Sequence, residues 1–229
     1  MASDPWDELQ RKYKERPSPA SSHDQKPLEE DPWEKLRALY LPFTEEEETS
    51  ALTDPEKAHK VSGYLHKALL PYEKEIEKTA KRFDIPEEII GAVIMVESGG
   101  NRFARAKTSS AKGLMQTIDS TFREAYNALD STGLKIKYNP FHPYSSIMAG
   151  SWYLDRMFEK ALNDKKQGVR ERQNISSWRF PLEYYYAGPG NGVKEENVVI
   201  IYSGGKRVVV DKGAYSSKVM RWARILSYE

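Results

Sequence analysis

Glu97 is the residue on which a reaction could turn. It stands near the end of a run in which Ile89, Ile90, Val93 and Ile94 recur at helical spacing. It falls three residues after Ile94 and four after Val93, so on a helix its side chain continues the apolar stripe. Desolvation and the negative end of a helix dipole both disfavour ionisation of such a carboxyl. A carboxylic acid that keeps its proton towards neutral pH can donate it to a leaving oxygen, the task of a general acid. The alternative is a carboxylate that ends its helix in water, as most do. Three further groups could assist. Ser98 follows directly, either touching the acid or satisfying backbone at the helix end. In Gly113-Leu114-Met115-Gln116 the glycine permits close approach of the chain, Met115 is a soft apolar wall and the Gln116 amide can both donate and accept. The run Tyr184, Tyr185, Tyr186 is either core packing or a set of apolar faces on which a ring could stack.

The elements that must position these groups can be read from spacing. Pro86 suits a first turn, Glu87 and Glu88 put negative charge at the positive end, and Gly99 and Gly100 offer a left-handed stop, giving roughly three turns. Residues 54–82 are helical with a break at Pro71, with Val61, Leu65, Ala68 and Leu69 on one face and Ile76, Ala80 and Phe83 on the next. These should cradle the Glu97 helix. Residues 98–112 form a polar loop that lines a cleft. A helix is expected from Ser120 to about Ala128 and a longer one from about Tyr144 to Leu162, where Gly150 would let another helix cross closely. Two β-branched runs, 198–202 and 207–210, joined by Ser203-Gly204-Gly205-Lys206, predict a hairpin over about 197–210, set at a cleft edge as a flap. A last helix is expected over 215–226. The fold class is mainly α, with a small C-terminal β-hairpin.

Taken together, four blocks in order resemble the soluble lytic transglycosylases, a goose-type-lysozyme-like family that cleaves bacterial peptidoglycan. The blocks are VESGGNRFARAKTSSAKGLMQT; Asn139-Pro140; Ser146-Ile147-Met148-Ala149-Gly150 with Tyr153-Leu154; and Tyr185-Tyr186-Ala187-Gly188-Pro189-Gly190. The match spans about residues 72–226, and Tyr215, Lys218 and Val219 echo the family's closing segment. The resemblance implies an α+β lysozyme-like domain in which Glu97 is catalytic and Ser98, Ser110, Met115, Gln116, Tyr185 and Tyr186 contact substrate. It implies no cofactor and no metal. Where most members have Tyr-Asn-Ala-Gly, this chain has Tyr185-Tyr186-Ala187-Gly188, so the role of the family's tyrosine falls to Tyr185 or, with a shift of register, to Tyr186. The implied reaction uses one Glu twice, to protonate the oxygen between MurNAc and GlcNAc and then to activate the MurNAc C6 hydroxyl, leaving a 1,6-anhydro end. A lysozyme-type hydrolase is the alternative, and it could recruit Asp119 or Glu124 as a second carboxylate. A peptidoglycan-binding protein that has lost activity is the non-enzymatic alternative.

Bulk properties bound the rest. With 229 residues, 39% of them hydrophobic and 30% charged, there is room for one domain and an appendage. No apolar run reaches the roughly 20 residues of a membrane span. The chain has no cysteine, which excludes disulfides and thiol chemistry, and His23, His59, His66 and His142 are scattered. Residues 1–58 carry 8 Lys/Arg against 15 Asp/Glu, net −7, and residues 59–229 carry 27 against 19, net +8. A basic body suits an anionic polymer; there is no zinc-finger spacing or basic-aromatic repeat to suggest specific nucleic-acid binding.

The acidic leader contains a repeat. Asp4-Pro5-Trp6 and Asp31-Pro32-Trp33 begin two segments, 27 residues apart, that share Asp, Pro, Trp, Leu and Tyr at equal offsets. Each reads as a short amphipathic helix, and the stretches RPSPASSHDQKP and PFTEEEETS have linker composition. The expected organisation is therefore an arm over 1–53 and a domain over 54–229. The two helices either fold back onto the body or dock to another protein, for which a tethered pair of motifs around Trp6 and Trp33 is suited. The N-terminus shows no apolar core or cleavage pattern of a secretory signal. The expected location is a virion that delivers the enzyme to the bacterial periplasm, with a secretion apparatus as the alternative carrier; virion or secretion-apparatus proteins would then be its partners.

Overall fold

The computed structural model describes residues 43–228 apart from 108, 204 and 205. Both DPW motifs lie outside the described residues. The helices are α1 (Glu45–Ser50), α2 (Pro55–Leu69), α3 (Glu73–Phe83), α4 (Glu87–Ser98), α5 (Asp119–Ser131), α6 (Pro143–Asn163), α7 (Arg179–Ala187), the single turn α8 (Pro189–Gly192) and α9 (Lys212–Leu226). Strands β1 (Val198–Ser203) and β2 (Lys206–Asp211) pair antiparallel. The domain is mostly helical, as the spacing predicts.

The chain is helical earlier than its composition suggests. PFTEEEETS reads as linker, yet Thr44 and Glu47 form a capping box, the Thr44 hydroxyl accepting from the Glu47 N–H at 3.2 Å and the Glu47 carboxylate from the Thr44 N–H at 2.7 Å. That box starts α1, which packs on α2 and α9. Pro71 breaks the next helical run as expected, leaving a 3₁₀ turn over Leu70–Tyr72 between α2 and α3.

The α4 helix differs from the amphipathic stripe read in its spacing. Every residue from Ile89 to Met95 is buried, because α9 packs along it on one side and α2 and α3 on others. An element apolar on all sides belongs in the interior. Each of Ile89, Ile90, Val93 and Ile94 is fully buried, contributing roughly 1.5–3 kcal/mol by removal from water. Gly99, at φ 60°, stops the helix with its N–H on the Met95 carbonyl. A second packing group joins Phe122, Ala125 and Leu129 of α5 to Met148, Ala149 and Trp152 of α6.

The hairpin has two unlike faces. Opposed pairs Val199–Val210 and Ile201–Val208 point one way, and this face packs on Tyr186 and Ala187 at the end of α7. Val198, Tyr202 and Val209 on the other face are exposed. The hairpin is thus seated on the helix that carries the tyrosine motif. Among the described residues no helix is long and apolar enough to cross a membrane.

Candidate active site

Glu97 is only 5% exposed. Its Oε1 accepts a hydrogen bond from the Tyr215 hydroxyl at 2.6 Å. Burial pushes its pKa up to about 8, against the Tyr215 hydrogen bond, which favours the carboxylate. Among the described residues no charged neighbour contributes to the shift. The carboxyl therefore carries its proton at neutral pH, and desolvation alone does this without a like-charged partner.

Tyr215 is held in turn. The Tyr186 ring stacks on it with centroids 4.2 Å apart and planes 5° from parallel, and Tyr186 in turn packs against the apolar group that Ala187 forms with Val199 and Val210 of the hairpin. A series of packed groups thus runs from the apolar cluster shared by the hairpin and Ala187 to Tyr186, to Tyr215 and to Glu97. Burial raises the Tyr215 hydroxyl well above its usual pKa, as does the nearby Glu97 carboxylate, so it acts as a hydrogen-bond donor throughout the neutral range. Tyr215 was legible only as an echo of a closing segment. It lies 118 residues from Glu97, and no local spacing could have paired the two.

Tyr185 takes a different position from its neighbour. Its hydroxyl donates to the Met115 carbonyl at 2.6 Å, and its ring lies 5.4 Å from that of Tyr153. Burial raises its pKa first, and the Glu97 charge adds to it, so Tyr185 borders the acid without bonding it. The two candidate tyrosines are therefore both in the site, one fixing the Gly-Leu-Met-Gln backbone and one backing Tyr215.

That Gly-Leu-Met-Gln turn is clamped by close contacts. Gly113 has φ +80°, and a Cβ there would stand 2.1 Å from the Pro140 carbonyl oxygen. Met115 is fully buried. Its side chain fills the notch at Gly150, where a Cβ would meet it at 2.6 Å. The notch of α6 thus receives a loop side chain, where a crossing helix was expected. The Ser146 hydroxyl accepts from the Met115 N–H at 3.4 Å.

The remaining polar residues serve the backbone. The Ser98 hydroxyl donates to the Ile94 carbonyl at 2.9 Å, the helix-end role, and bonds neither the acid nor the cleft. The Ser110 hydroxyl accepts from the Asp119 N–H at 3.1 Å and so caps α5 from across the loop, while remaining exposed. The Gln116 amide nitrogen donates to the carbonyls of Gly113 at 2.8 Å and Ala104 at 3.2 Å. Its two donors are used inside the loop, which leaves only its carbonyl oxygen for a ligand. Of the acids weighed as second carboxylates, Asp119 is bonded to Lys112 at 2.6 Å on the surface. Glu124 is held above its usual pKa by burial, against the attraction of Arg156, and it acts on Tyr153. Neither influences Glu97.

Comparison with known proteins matches residues 74–201 to the transglycosylase SLT domain. Two similar proteins are the membrane-bound lytic murein transglycosylases C of Yersinia pestis (strain Pestoides F) and of Yersinia pseudotuberculosis serotype O:1b (strain IP 31758). Each is 28% identical over 134 residues, which is 58% of this chain and 35% of the relative. The match therefore covers about a third of those proteins' length. Tyr215, in α9, lies beyond the residues matched by the domain.

Proposed function

The chain belongs to the transglycosylase SLT domain family, and on that premise we propose that it is a peptidoglycan lytic transglycosylase with Glu97 as its only acid and base. The observation that carries this reading is a buried carboxyl, protonated up to about pH 8, whose ionisation depends on burial and Tyr215 and on no other acid among the described residues. Glycosidases with two carboxylates set them on opposite sides of the bond, with about 5–9.5 Å between them. Here one group must both give and take the proton. Glu97 protonates the glycosidic oxygen as the C1–O bond of MurNAc breaks, with the substrate's own acetamido oxygen covering the anomeric carbon. The Glu97 carboxylate, stabilised by the Tyr215 hydroxyl, then takes the proton of the C6 hydroxyl as that oxygen bonds to C1. The proton lost in the first step is recovered in the second, no water is consumed, and a 1,6-anhydro end remains. Mass spectrometry of digested sacculi tests this. Anhydro ends are expected; hydrated reducing ends would make the protein a hydrolase, and binding without release of muropeptides would make it an inactive binding protein.

The repeated DPW motif supports a second part of the reading, that the arm carries the enzyme on a larger assembly. Two copies of one amphipathic motif on a linker-like tether suit bivalent docking that leaves the cleft free. The role proposed is local opening of the cell wall during phage genome delivery, with a secretion apparatus as the other carrier and delivery to the periplasm in both cases. Removing residues 1–42, just ahead of α1, should leave sacculus cleavage intact and abolish copurification with the parent particle. Incorporation of the truncated enzyme would return the DPW motifs to the body of the domain.

A further inference from the structure

Lys212 and Glu183 are each 1% exposed, and the Lys212 ammonium meets the Glu183 carboxylate at 2.7 Å. Two charges at that depth are costly to desolvate, and pairs of this kind are often no more stable than apolar residues of the same size. Lys212 is also the first residue of α9, where the positive end of the helix dipole opposes an ammonium group. The stability of the fold alone gives little reason for a lysine here. Its other bonds show what it accomplishes. The same ammonium donates to the carbonyls of Lys194 at 2.8 Å and Gly192 at 3.3 Å, so all three donors are used. The second Glu183 oxygen accepts from Arg179 at 3.1 Å. The pair therefore ties the first turn of α9 to the middle of α7 and to the segment that leads into the hairpin.

Those are the segments that carry the site's tyrosines. Tyr215 is three residues beyond Lys212, and Tyr185 and Tyr186 are two and three beyond Glu183. Farther along, α9 is held by apolar packing of Val219, Trp222 and Ile225, which is non-directional and tolerates small slides. A three-pronged, charge-assisted set of hydrogen bonds does not. We propose that Glu183 and Lys212 are positioning residues, a buried ionic peg that sets the crossing of α7 and α9 so that Tyr186 stacks on Tyr215 and the Tyr215 hydroxyl reaches Glu97. This deepens the transglycosylase reading of the site and rests on it for its kinetic consequence.

The test removes both charges together, in Glu183→Gln/Lys212→Met and in Glu183→Leu/Lys212→Met, so that no net charge is added near Glu97. Three quantities are measured on the full chain: the thermal midpoint, the Glu97 titration followed by carboxyl-carbon NMR, and kcat and KM for release of muropeptides. The peg predicts a folded protein with a midpoint close to wild type. It also predicts a Glu97 titration moved above its wild-type position, because the Tyr215 hydrogen bond that favours the carboxylate is lost, and a kcat at least tenfold lower with KM within twofold. The titration is read without substrate, so it stands even if the wild-type chain releases no anhydro products and the transglycosylase reading fails. A folded double variant with an unmoved Glu97 titration would overturn the peg. So would failure of both variants to fold, which would make the pair a requirement of the fold and not of the site.

Discussion

Two walls of the candidate site, one met through Tyr185 and the other through Tyr215, are built on different principles. One is the loop from Gly99 to Ile118, rich in recognisable motif residues. The other consists of α7, the hairpin and α9. In the loop and at the helix end just before it, polar side chains are spent on the backbone: Ser98 on Ile94, Ser110 on Asp119, Gln116 on Gly113 and Ala104. In the second wall the rings of Tyr186 and Tyr215 stack, and the Tyr215 hydroxyl alone among the described side chains hydrogen-bonds the acid. The motif wall fixes a shape, and the less conspicuous wall tunes the proton. A residue that stands in a motif need not be the one that bonds the buried carboxyl.

Replacing the acid itself is the largest test of that division. Glu97→Gln should lower sacculus cleavage by at least about a thousandfold, at the upper part of the range for a general acid, while circular dichroism shows the fold intact. Its stability should depend on pH in a defined direction. The folded protein holds the Glu97 proton up to about pH 8, while the unfolded chain releases it near pH 4.5, so wild-type stability falls as pH rises between those values. Glu97→Gln should match wild type near pH 4 and exceed it above pH 8, by at most roughly 5 kcal/mol. Thermal melts of both proteins across that range measure the difference, and parallel curves would contradict the buried, protonated acid. In wild type, cleavage should fall as pH rises through about 8.

Next in size is a change to the shape wall. Gly113→Ala forces a Cβ to within 2.1 Å of the Pro140 oxygen at φ +80°. It should cost at least about 3 kcal/mol, a fall in Tm of roughly 6–12 °C. An unchanged Tm would show that the loop is not clamped. Tyr215→Phe probes the tuning wall and should slow cleavage about tenfold to a hundredfold, the scale of one hydrogen bond to a charged group, with little change in Tm. Because the lost bond favours the carboxylate, the alkaline limb of the rate profile should move to higher pH. A limb moving lower would reverse the role given to Tyr215. The smallest effect belongs to Ser98→Ala, at about 1 kcal/mol of stability or less and a rate within a few-fold of wild type. Were its rate to fall further than that of Tyr215→Phe, the comparison of the two walls would be the wrong way round.

Much of this domain was readable from residue types and spacing. Pro71 and Pro86 marked breaks and starts, Gly99 marked a stop, and the β-branched runs marked the hairpin, because each signal acts within a few residues of chain. Glu97 was legible as an acid for the same reason: its place after Val93 and Ile94 depends only on helical geometry. Three features were not. The acidic run before α2 looked like linker until Thr44 and Glu47 closed a capping box over it. The α4 helix looked one-sided, since its own sequence cannot say how many neighbours will cover it. Gln116 looked free to bind, since nothing local shows that the Ala104 carbonyl comes back to meet its amide.

The sequence by itself determined the elements, the acid at the end of its helix and the Gly-Leu-Met-Gln turn, all properties of short segments. Tertiary structure alone decided that Tyr215 reaches Glu97, that Tyr186 backs Tyr215, and that Lys212 meets Glu183. Those pairings span 118, 29 and 29 residues, and each depends on the angle at which α9 crosses α4 and α7. That angle is set by the packing of whole helix faces, a quantity no single segment contains.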